Sequence, residues 1–180
     1  MKIVAFGGSS SKKSINKQLA TYATTFFKDE DIKILDLNDF EMPVFSVDKE
    51  KESGYPKEAM EFLRIIGTAD LLIISLAEHN GSYSSAFKNI FDWASRAETK
   101  TFQNKPMLLM ATSTGARGGK SVLEAAKIRF PYHTAKIIAS FSLPEFAKNF
   151  DAKKGITEPV LLAQFNEVID QTKSELPALK

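Results

Sequence analysis

Small and hydroxyl-bearing residues follow the first apolar run of the chain. Gly7 and Gly8 close that run, and the next residues read Ser-Ser-Ser-Lys-Lys-Ser-Ile-Asn before helical spacing begins. Glycines let the backbone turn sharply, hydroxyls donate to phosphate oxygens, and the unpaired N–H groups at a helix N-terminus favour an anion. This first loop (residues 7–16) therefore predicts a phosphate site to which the paired lysines add positive charge. The alternative is that Ser14 only caps the helix.

Two further loops have the composition of a ligand-binding edge. The second loop (residues 77–85) contains Asn80-Gly81, a strong signal for a tight turn whose backbone N–H and C=O groups can meet a flat polar ring. The third loop (residues 112–119) contains glycines that let the backbone approach a ring closely, with amides that can donate to a ring carbonyl. The alternative for the third loop is a flexible glycine-rich connection.

The residues for several other chemistries are missing. The chain has no cysteine and only two histidines. The lack of cysteine excludes thiolate nucleophiles, iron–sulfur clusters and a flavin tethered through sulfur, and so few histidines give little support to a metal site or a hydrolase triad. The first loop has neither the GxGxxG nor the GxxxxGK[ST] pattern, which disfavours direct dinucleotide or ATP binding. We expect no bound metal.

Charge and hydropathy point to no macromolecular partner. Lysine and arginine exceed aspartate and glutamate by only two and are scattered along the chain, so we expect neither nucleic acid nor a membrane surface as a partner. The apolar run after Met1 is too short for the core of a signal peptide, and no apolar stretch approaches membrane-spanning length. We therefore expect a cytoplasmic protein.

The elements that position these loops follow an alternating strand and helix pattern. Five apolar runs occupy residues 2–6, 32–35, 71–75, 107–111 and 136–140, and helical spacing covers residues 15–27, 56–66, 86–94, 121–128 and 159–173. The first, third and fourth runs are nearly continuous in apolar character and should be central strands, whereas the second alternates and should be an edge strand. The pattern predicts an α/β fold, an open, doubly wound parallel sheet with ligands beyond the carboxyl ends of its strands. We expect one domain over residues 1–173 and a frayed tail over 174–180.

The three loops resemble those of the NADPH-dependent FMN reductase family, which is flavodoxin-like and includes quinone, azo-dye and chromate reductases. The family's phosphate-binding Gly-Ser-x-Arg-x-x-Ser-x-Asn corresponds to residues 8–16. Its Pro-Glu-Tyr-Asn-Gly-Ser segment, which borders the isoalloxazine ring, corresponds to residues 77–82, and its Lys-Asn-x-x-Asp-Trp continuation to residues 88–93. Its Ser-x-Gly-x-x-Gly-Gly loop corresponds to residues 114–119, with Thr114 where serine is usual. The resemblance spans about residues 1–170.

The resemblance implies a flavodoxin-like, five-stranded parallel sheet of order 2-1-3-4-5 with helices on both faces, and noncovalently bound FMN. It places cofactor contacts at Ser9, Ser11, Ser14, Ile15, Asn16, Ala77, Glu78, His79, Asn80, Ser113, Thr114 and Gly115. The flavin carries the redox chemistry, so we expect no catalytic acid or base among the side chains. His79, beside the ring, is the best candidate for contact with the substrate.

Three residues depart from the family pattern at the presumed flavin site. Ser11 replaces the phosphate-binding arginine, Ala77 replaces proline, and His79 replaces tyrosine. The missing arginine removes a charge-assisted contact of about 1.5 to 3 kcal/mol, which is about one to two powers of ten in affinity unless Lys12 or Lys13 compensates. We therefore expect weak FMN binding.

The implied function is electron transfer from NADPH or NADH through FMN to a small acceptor, such as a quinone, an azo compound, free flavin or a metal oxyanion, with ping-pong kinetics. The alternatives are a flavodoxin-like electron carrier, disfavoured by the slight positive charge, and a flavin-free binding protein that keeps the fold. The family also implies a homodimer or homotetramer. Trp93 lies on the flank of the apolar stripe of its helix and faces either a neighbouring helix, as ordinary packing, or another subunit; an exposed Trp93 would fit such a subunit contact.

Overall fold

The computed structural model describes residues 1–176, in which strands and helices alternate. The strands are β1 (Lys2–Gly8), β2 (Asp31–Leu35), β3 (Leu71–His79), β4 (Ser82–Tyr83), β5 (Pro106–Thr112), β6 (Lys136–Leu143), β7 (Phe150–Asp151) and β8 (Gly155–Ile156). The helices are α1 (Ile15–Thr24), α2 (Val47–Ser53), α3 (Lys57–Gly67), α4 (Ser85–Ala97), α5 (Lys120–Arg129), α6 (Phe146–Asn149) and α7 (Pro159–Glu175). Single 3₁₀ turns cover Leu37–Phe40 and Phe130–His133.

The central sheet has the order β2-β1-β3-β5-β6, and these five strands are mutually parallel. This is the predicted order of the five apolar runs, and the prediction of a doubly wound sheet is confirmed. The short β4 pairs antiparallel with β3 and makes the sheet six-stranded, while β7 and β8 form a separate hairpin. The prediction missed β4, the β7–β8 hairpin, α2 and α6, because each is too short to establish a hydrophobic period.

Two hydrophobic layers cover the faces of the sheet. One layer holds α1 and α7 against the sheet and includes Leu19, Ala23, Phe165 and Ile169, all nearly fully buried. The other layer is formed mainly by α3, α4 and α5. Strands β1, β3 and β5 are buried on both faces, as their continuous apolar character predicts, whereas β2 lies at an edge and alternates in exposure.

Helix α1 packs unusually close to the end of β1. A Cβ atom on Gly7 would lie 2.3 Å from the backbone nitrogen of Lys17, so only glycine permits this approach. The helix ends at Thr24, earlier than predicted, because residues 25–27 continue as a turn in which Phe27 N–H donates to Thr24 C=O at 3.0 Å. This close packing of α1 against β1 fixes the position of the first loop.

The end of the chain differs from the prediction in one respect. Helix α7 continues to Glu175, so Ser174 and Glu175 belong to the helix rather than to a frayed tail. The remainder of the predicted tail, residues 177–180, lies outside the described residues. Within residues 1–176, no helix combines the length and the apolar character needed to cross a bilayer.

Candidate flavin site at the carboxyl edge of the sheet

The first, second and third loops meet at the carboxyl ends of β1, β3 and β5 around a cavity of about 340 Å³. This volume is within the range of ordinary ligand pockets. The lining includes ten of the twelve predicted residues: Ser9, Ser11, Ser14, Ile15, Asn16, Ala77, Glu78, His79, Ser113 and Thr114. The other two, Asn80 and Gly115, do not line it but are the next residues of the second and third loops. Lys13 and Thr112 complete the lining.

The first loop presents an unpaired set of hydrogen-bond donors. Ser14 caps α1, since its Oγ accepts from Lys17 N–H at 3.1 Å. The backbone N–H groups of Ile15 and Asn16, in the first turn of α1, have no acceptor within residues 1–176. Both therefore remain available to an anion at the positive end of the helix dipole. Capping by Ser14 and anion binding are thus compatible.

Lysine supplies the positive charge at the first loop, which is called the phosphate cradle below. Lys13 is exposed and lines the cavity, where its ammonium can approach an anion. Lys17, by contrast, places its Nζ 2.6 Å from Oδ2 of Asp36, so it is already compensated. The hydrogen bond from Lys17, aided by the backbone N–H of Asn38, lowers the pKa of Asp36 below its usual range. The side chain of Ser11, where the family has arginine, is exposed and carries no charge.

Asn16 is a buried bridge between α1 and the sheet. Its Nδ2 donates to Thr112 C=O at 3.1 Å, and its Oδ1 accepts from Thr112 N–H at 3.0 Å and from Ser75 Oγ at 2.7 Å. The side chain is 2% exposed, so these bonds form in a dry environment. Asn16 therefore offers a ligand its backbone N–H, while its side chain holds the first loop against the start of the third. Sequence reasoning missed this role because it depends on contacts with residues 59 and 96 positions away.

The second loop forms the predicted tight turn. Asn80 and Gly81 have φ values of 52° and 76°, the pair of left-handed conformations that a two-residue hairpin turn between β3 and β4 requires. Glu78 turns towards α5, where its Oε2 accepts from Val122 N–H at 2.9 Å. This contact satisfies a donor in the first turn of α5 and anchors the loop. Ala77 is buried, and His79 is exposed at the mouth of the cavity.

A hydrogen bond joins the first and second loops directly. Ser84 caps α4, because its Oγ accepts from Phe87 N–H at 3.2 Å, and the same hydroxyl donates to Gly8 C=O at 2.7 Å. The side chain is 2% exposed. The start of α4 therefore fixes the distance between the two loops.

The third loop is held by its glycines and by the segment that follows β6. Gly118 has φ 58°, and a Cβ atom there would lie 2.5 Å from Oγ of Ser142 and 2.8 Å from the nitrogen of Pro144. The carbonyl of Gly115 accepts from Glu145 N–H at 3.0 Å. A Cβ atom on Gly115 would meet only Oγ of Ser113, at 4.0 Å, which leaves open space beside the loop. The loop is therefore fixed rather than a flexible connection.

Trp93 is buried, so it does not provide the subunit contact that an exposed ring would have fitted. Its ring is 1% exposed, its Nε1 donates to Pro43 C=O at 2.7 Å, and it lies edge-to-face with Phe45 at a centroid distance of 5.0 Å. Asn89 binds the same segment, donating from Nδ2 to Met42 C=O at 3.2 Å. The covering segment, residues 42–45, lies far from Trp93 in sequence, so helical spacing alone could not reveal the burial. The Lys-Asn-x-x-Asp-Trp motif thus anchors a loop.

Tyr83, directly after the tight turn, is not a proton-transfer group. Burial raises its pKa to about 12, and its hydroxyl has no partner among the described residues. Its ring stacks on Phe130 at a centroid distance of 6.1 Å. The hydroxyl remains protonated at neutral pH, so Tyr83 serves as packing beneath the turn.

The arrangement fits FMN on the chemistry of its donors. The N–H groups of Ile15 and Asn16, the serine hydroxyls of the first loop and the ammonium of Lys13 match a phosphate dianion. The buried Ala77 and the open space at Gly115 leave room for the edge of a flat ring between the second and third loops. The uncharged Ser11, where the family has arginine, weakens the fit to the phosphate.

Comparisons with known proteins agree with the motifs. The sequence pattern of the family described as NADPH-dependent FMN reductase matches residues 1–148. An NADPH:quinone oxidoreductase of Arabidopsis thaliana is 27% identical over 185 residues, covering 94% of this chain and 88% of the relative. A quinone reductase of Escherichia coli (strain K12) is 29% identical over 136 residues, covering 73% of this chain but only 65% of that protein.

Solved structures share the fold. The flavoenzyme NAD(P)H:(acceptor) oxidoreductase FerB from Paracoccus denitrificans superimposes with a TM-score of 0.71 at 21% identity. The superposition covers 96% of this chain and 97% of that one. Such a likeness extends over the whole flavodoxin-like architecture, including the region beyond residue 148.

Proposed function

The chain belongs to the NADPH-dependent FMN reductase family, and we propose that it transfers electrons from NAD(P)H through FMN to a small acceptor at the rim where the first, second and third loops meet. The redox chemistry is that of FMN, which in this family takes a hydride from a reduced nicotinamide and returns the electrons to a second substrate. What the chain contributes is binding, orientation and the exclusion of water.

One observation carries the proposal. Residues from three loops, which are distributed between Ser9 and Thr114 along the chain, line a single cavity at the carboxyl edge of the sheet. Ligands of open α/β sheets bind at this edge, near the point where the strand order reverses. Here the reversal lies between β1 and β3, which precede the first and second loops.

The first loop is the proposed phosphate cradle. The backbone N–H groups of Ile15 and Asn16 point from the start of α1, and the hydroxyls of Ser9, Ser11 and Ser14 stand beside them. A phosphate dianion in this position would gain charge-assisted hydrogen bonds from the amides and the favourable end of the helix dipole. Ser14 can donate its proton to the phosphate while its Oγ continues to accept from Lys17 N–H.

The second and third loops are the proposed walls of the ring site. One edge of the isoalloxazine would be bordered by Ala77, Glu78, His79 and Asn80, and the other edge would be bordered by residues 113–115. Backbone amides near the pyrimidine edge help to stabilise negative charge on a reduced flavin. His79 is exposed at the mouth, where it can contact the second substrate, and no side chain is required as an acid or base.

The absorption spectrum of the purified protein tests the proposal. FMN added to the protein should shift its visible bands and lose fluorescence with saturation, and anaerobic NADPH or NADH should then bleach the bound flavin. A quinone added afterwards should restore the absorbance. Because Ser11 lacks a charge, the titration should extend to millimolar FMN. Binding without bleaching by either nicotinamide would identify an electron carrier instead, and the absence of binding would identify a flavin-free protein.

The acceptor class, the assembly and the location of the protein are part of the same proposal. The acceptor is a quinone or a similarly flat oxidant, as the quinone reductase activities named for the Arabidopsis and Escherichia coli relatives suggest. The protein is a homodimer or homotetramer in the cytoplasm. Light scattering on the eluting peak of a sizing column measures the assembly, and a mass near the 20.0 kDa of a single chain would contradict it.

A further inference from the structure

A second, larger groove lies beside the phosphate cradle, on the outer face of α1. Its volume is about 500 Å³. One wall is the exposed face of α1, including Gln18, Thr21 and Tyr22, and the other wall is the β7–β8 hairpin. The mechanism proposed above makes no use of this groove, although a volume of this size accommodates a small organic ligand.

The charge lining the groove is entirely positive. Lys12, Lys13, Lys17 and Lys153 line it, and no aspartate or glutamate does so within residues 1–176. Lys17 is compensated by Asp36, but Lys12, Lys13 and Lys153 form no salt bridge among the described residues. Three ammonium groups facing one concave volume favour a phosphorylated ligand.

The groove also contains an aromatic wall. Tyr22 and Phe150 both line it and lie edge-to-face, with ring centroids 5.5 Å apart. Gly155 brings the hairpin against this pair: its φ is 77°, and a Cβ atom there would lie 2.0 Å from the Tyr22 ring. A glycine is therefore required for the hairpin to close onto the helix. Tyr22 and Phe150 therefore give the groove an aromatic surface beside its ammonium groups, a combination that binds a nucleobase with its phosphates.

The groove is continuous with the phosphate cradle. Lys13 and Ser14 line both cavities, so the groove begins where the flavin phosphate would end. We propose that the groove binds the adenosine-phosphate half of a dinucleotide. The placement rests on the function proposed above, since it is the flavin site that brings a dinucleotide to this edge. Two dinucleotides supply the same chemistry: FAD, whose AMP half is joined to the flavin phosphate, and NADPH, with its adenosine 2′-phosphate.

A longer polyanion fits the surface less well. The chain exceeds neutrality by only two positive charges, and the uncompensated lysines are gathered in one concave site rather than along an extended stripe. A nucleotide half matches a groove of this volume, whereas a nucleic acid backbone requires a track of charges.

Binding of adenosine 2′,5′-bisphosphate to the flavin-free protein, measured by calorimetry at low salt, tests the groove itself. Lys153→Gln should weaken binding about two- to fivefold and Lys153→Glu about five- to twentyfold, and high salt should reduce both effects. Lys154→Glu is the matched control, because Lys154 is the exposed neighbour on the same turn and does not line the groove. It should change the affinity less than twofold.

The ratio of FAD affinity to FMN affinity and the ratio of kcat/KM for NADPH to that for NADH then identify which dinucleotide occupies the groove. If it is FAD, Lys153→Glu should lower the affinity for FAD relative to FMN. If it is NADPH, Lys153→Glu should lower kcat/KM for NADPH relative to NADH in the FMN-loaded enzyme. Either result supports the proposal. An unsaturated titration with the bisphosphate, or equal losses in the Lys153→Glu and Lys154→Glu variants, overturns it. FMN affinity is measured in parallel, so failure to bind FMN would reject the proposed function separately from the groove.

Discussion

Replacement of Asn16 by alanine should unfold the protein more easily even when no flavin is present. The Asn16 side chain makes three buried hydrogen bonds, two to the backbone of Thr112 and one to the hydroxyl of Ser75. Each bond contributes about 1 kcal/mol, so their loss should lower the free energy of unfolding by about 3 kcal/mol. The loss should not be smaller than this, because the Thr112 and Ser75 groups would be left unpaired in a dry site. This is a large share of a typical stability of about 5 to 15 kcal/mol.

Urea denaturation of the flavin-free protein, followed by circular dichroism, measures this effect. With a slope of about 2 kcal/mol per molar, the midpoint should fall by about 1.5 M. Asn166→Ala is the control, since Asn166 is an exposed asparagine within α7, and its midpoint should move by less than about 0.3 M.

Stability and FMN affinity measured together distinguish a structural role of Asn16 from direct contact with the cofactor. If Asn16→Ala leaves the urea midpoint unchanged but weakens FMN binding tenfold or more, then the side chain is a direct ligand of the cofactor and the bridge between α1 and the sheet is not its function. If both stability and affinity fall, riboflavin and FMN should lose affinity together, because a displaced first loop disturbs the whole site rather than one phosphate contact.

Three further predictions test the first loop, the third loop and the Lys17–Asp36 ion pair. Ser11→Arg should tighten FMN binding about 10- to 100-fold, because it restores a positive charge at the phosphate cradle. Ser10→Arg is the control and should not tighten binding, since Ser10 does not line the cavity. Equal FMN affinities of the two variants in a fluorescence titration would refute this prediction. Gly118→Ala should destabilise the protein by about 2 to 4 kcal/mol, because it adds a clash with Ser142 and Pro144 to the left-handed strain. Gly81→Ala, where a Cβ atom meets nothing within 4 Å, should cost only about 1 to 2 kcal/mol by thermal unfolding. In Asp36→Asn, the free energy of unfolding should fall less steeply as the pH is lowered. Folding lowers the pKa of Asp36, so the ionised carboxylate stabilises the folded protein above its unfolded pKa of about 3.9. This stabilisation is lost as the pH falls through the folded pKa. An unchanged loss of stability between pH 5 and pH 2 in this variant would contradict the assignment.

The local sequence was sufficient for the sheet and for the edge where the site lies. Continuous apolar runs identified β1, β3 and β5 as buried strands, and Asn80-Gly81 identified the tight turn, because these features depend on neighbours in the chain. The packing roles could not be obtained in this way. Burial of Trp93 depends on residues 42–45, and the bonds of Asn16 and Glu78 join elements that are distant in sequence.

The family resemblance supplied what periodicity could not. Glycine and serine loops alone predicted a phosphate and a flat ring, and the family match over residues 1–148 identifies the cofactor as FMN. The second groove carries no family motif. It is visible only when α1 and the β7–β8 hairpin are placed side by side, since Lys12 and Lys153 lie at opposite ends of the sequence.

Mapping of backbone amide chemical shifts during titration with FMN tests the central claim most directly. We expect the largest changes in chemical shift at the first loop, at residues 77–80 and at residues 113–115. Riboflavin, which lacks the phosphate, should spare the amides of Ile15 and Asn16 while still moving those of the second and third loops. Saturating FMN that shifts amides away from this rim, or that shifts Ile15 and Asn16 no more than riboflavin does, would contradict it.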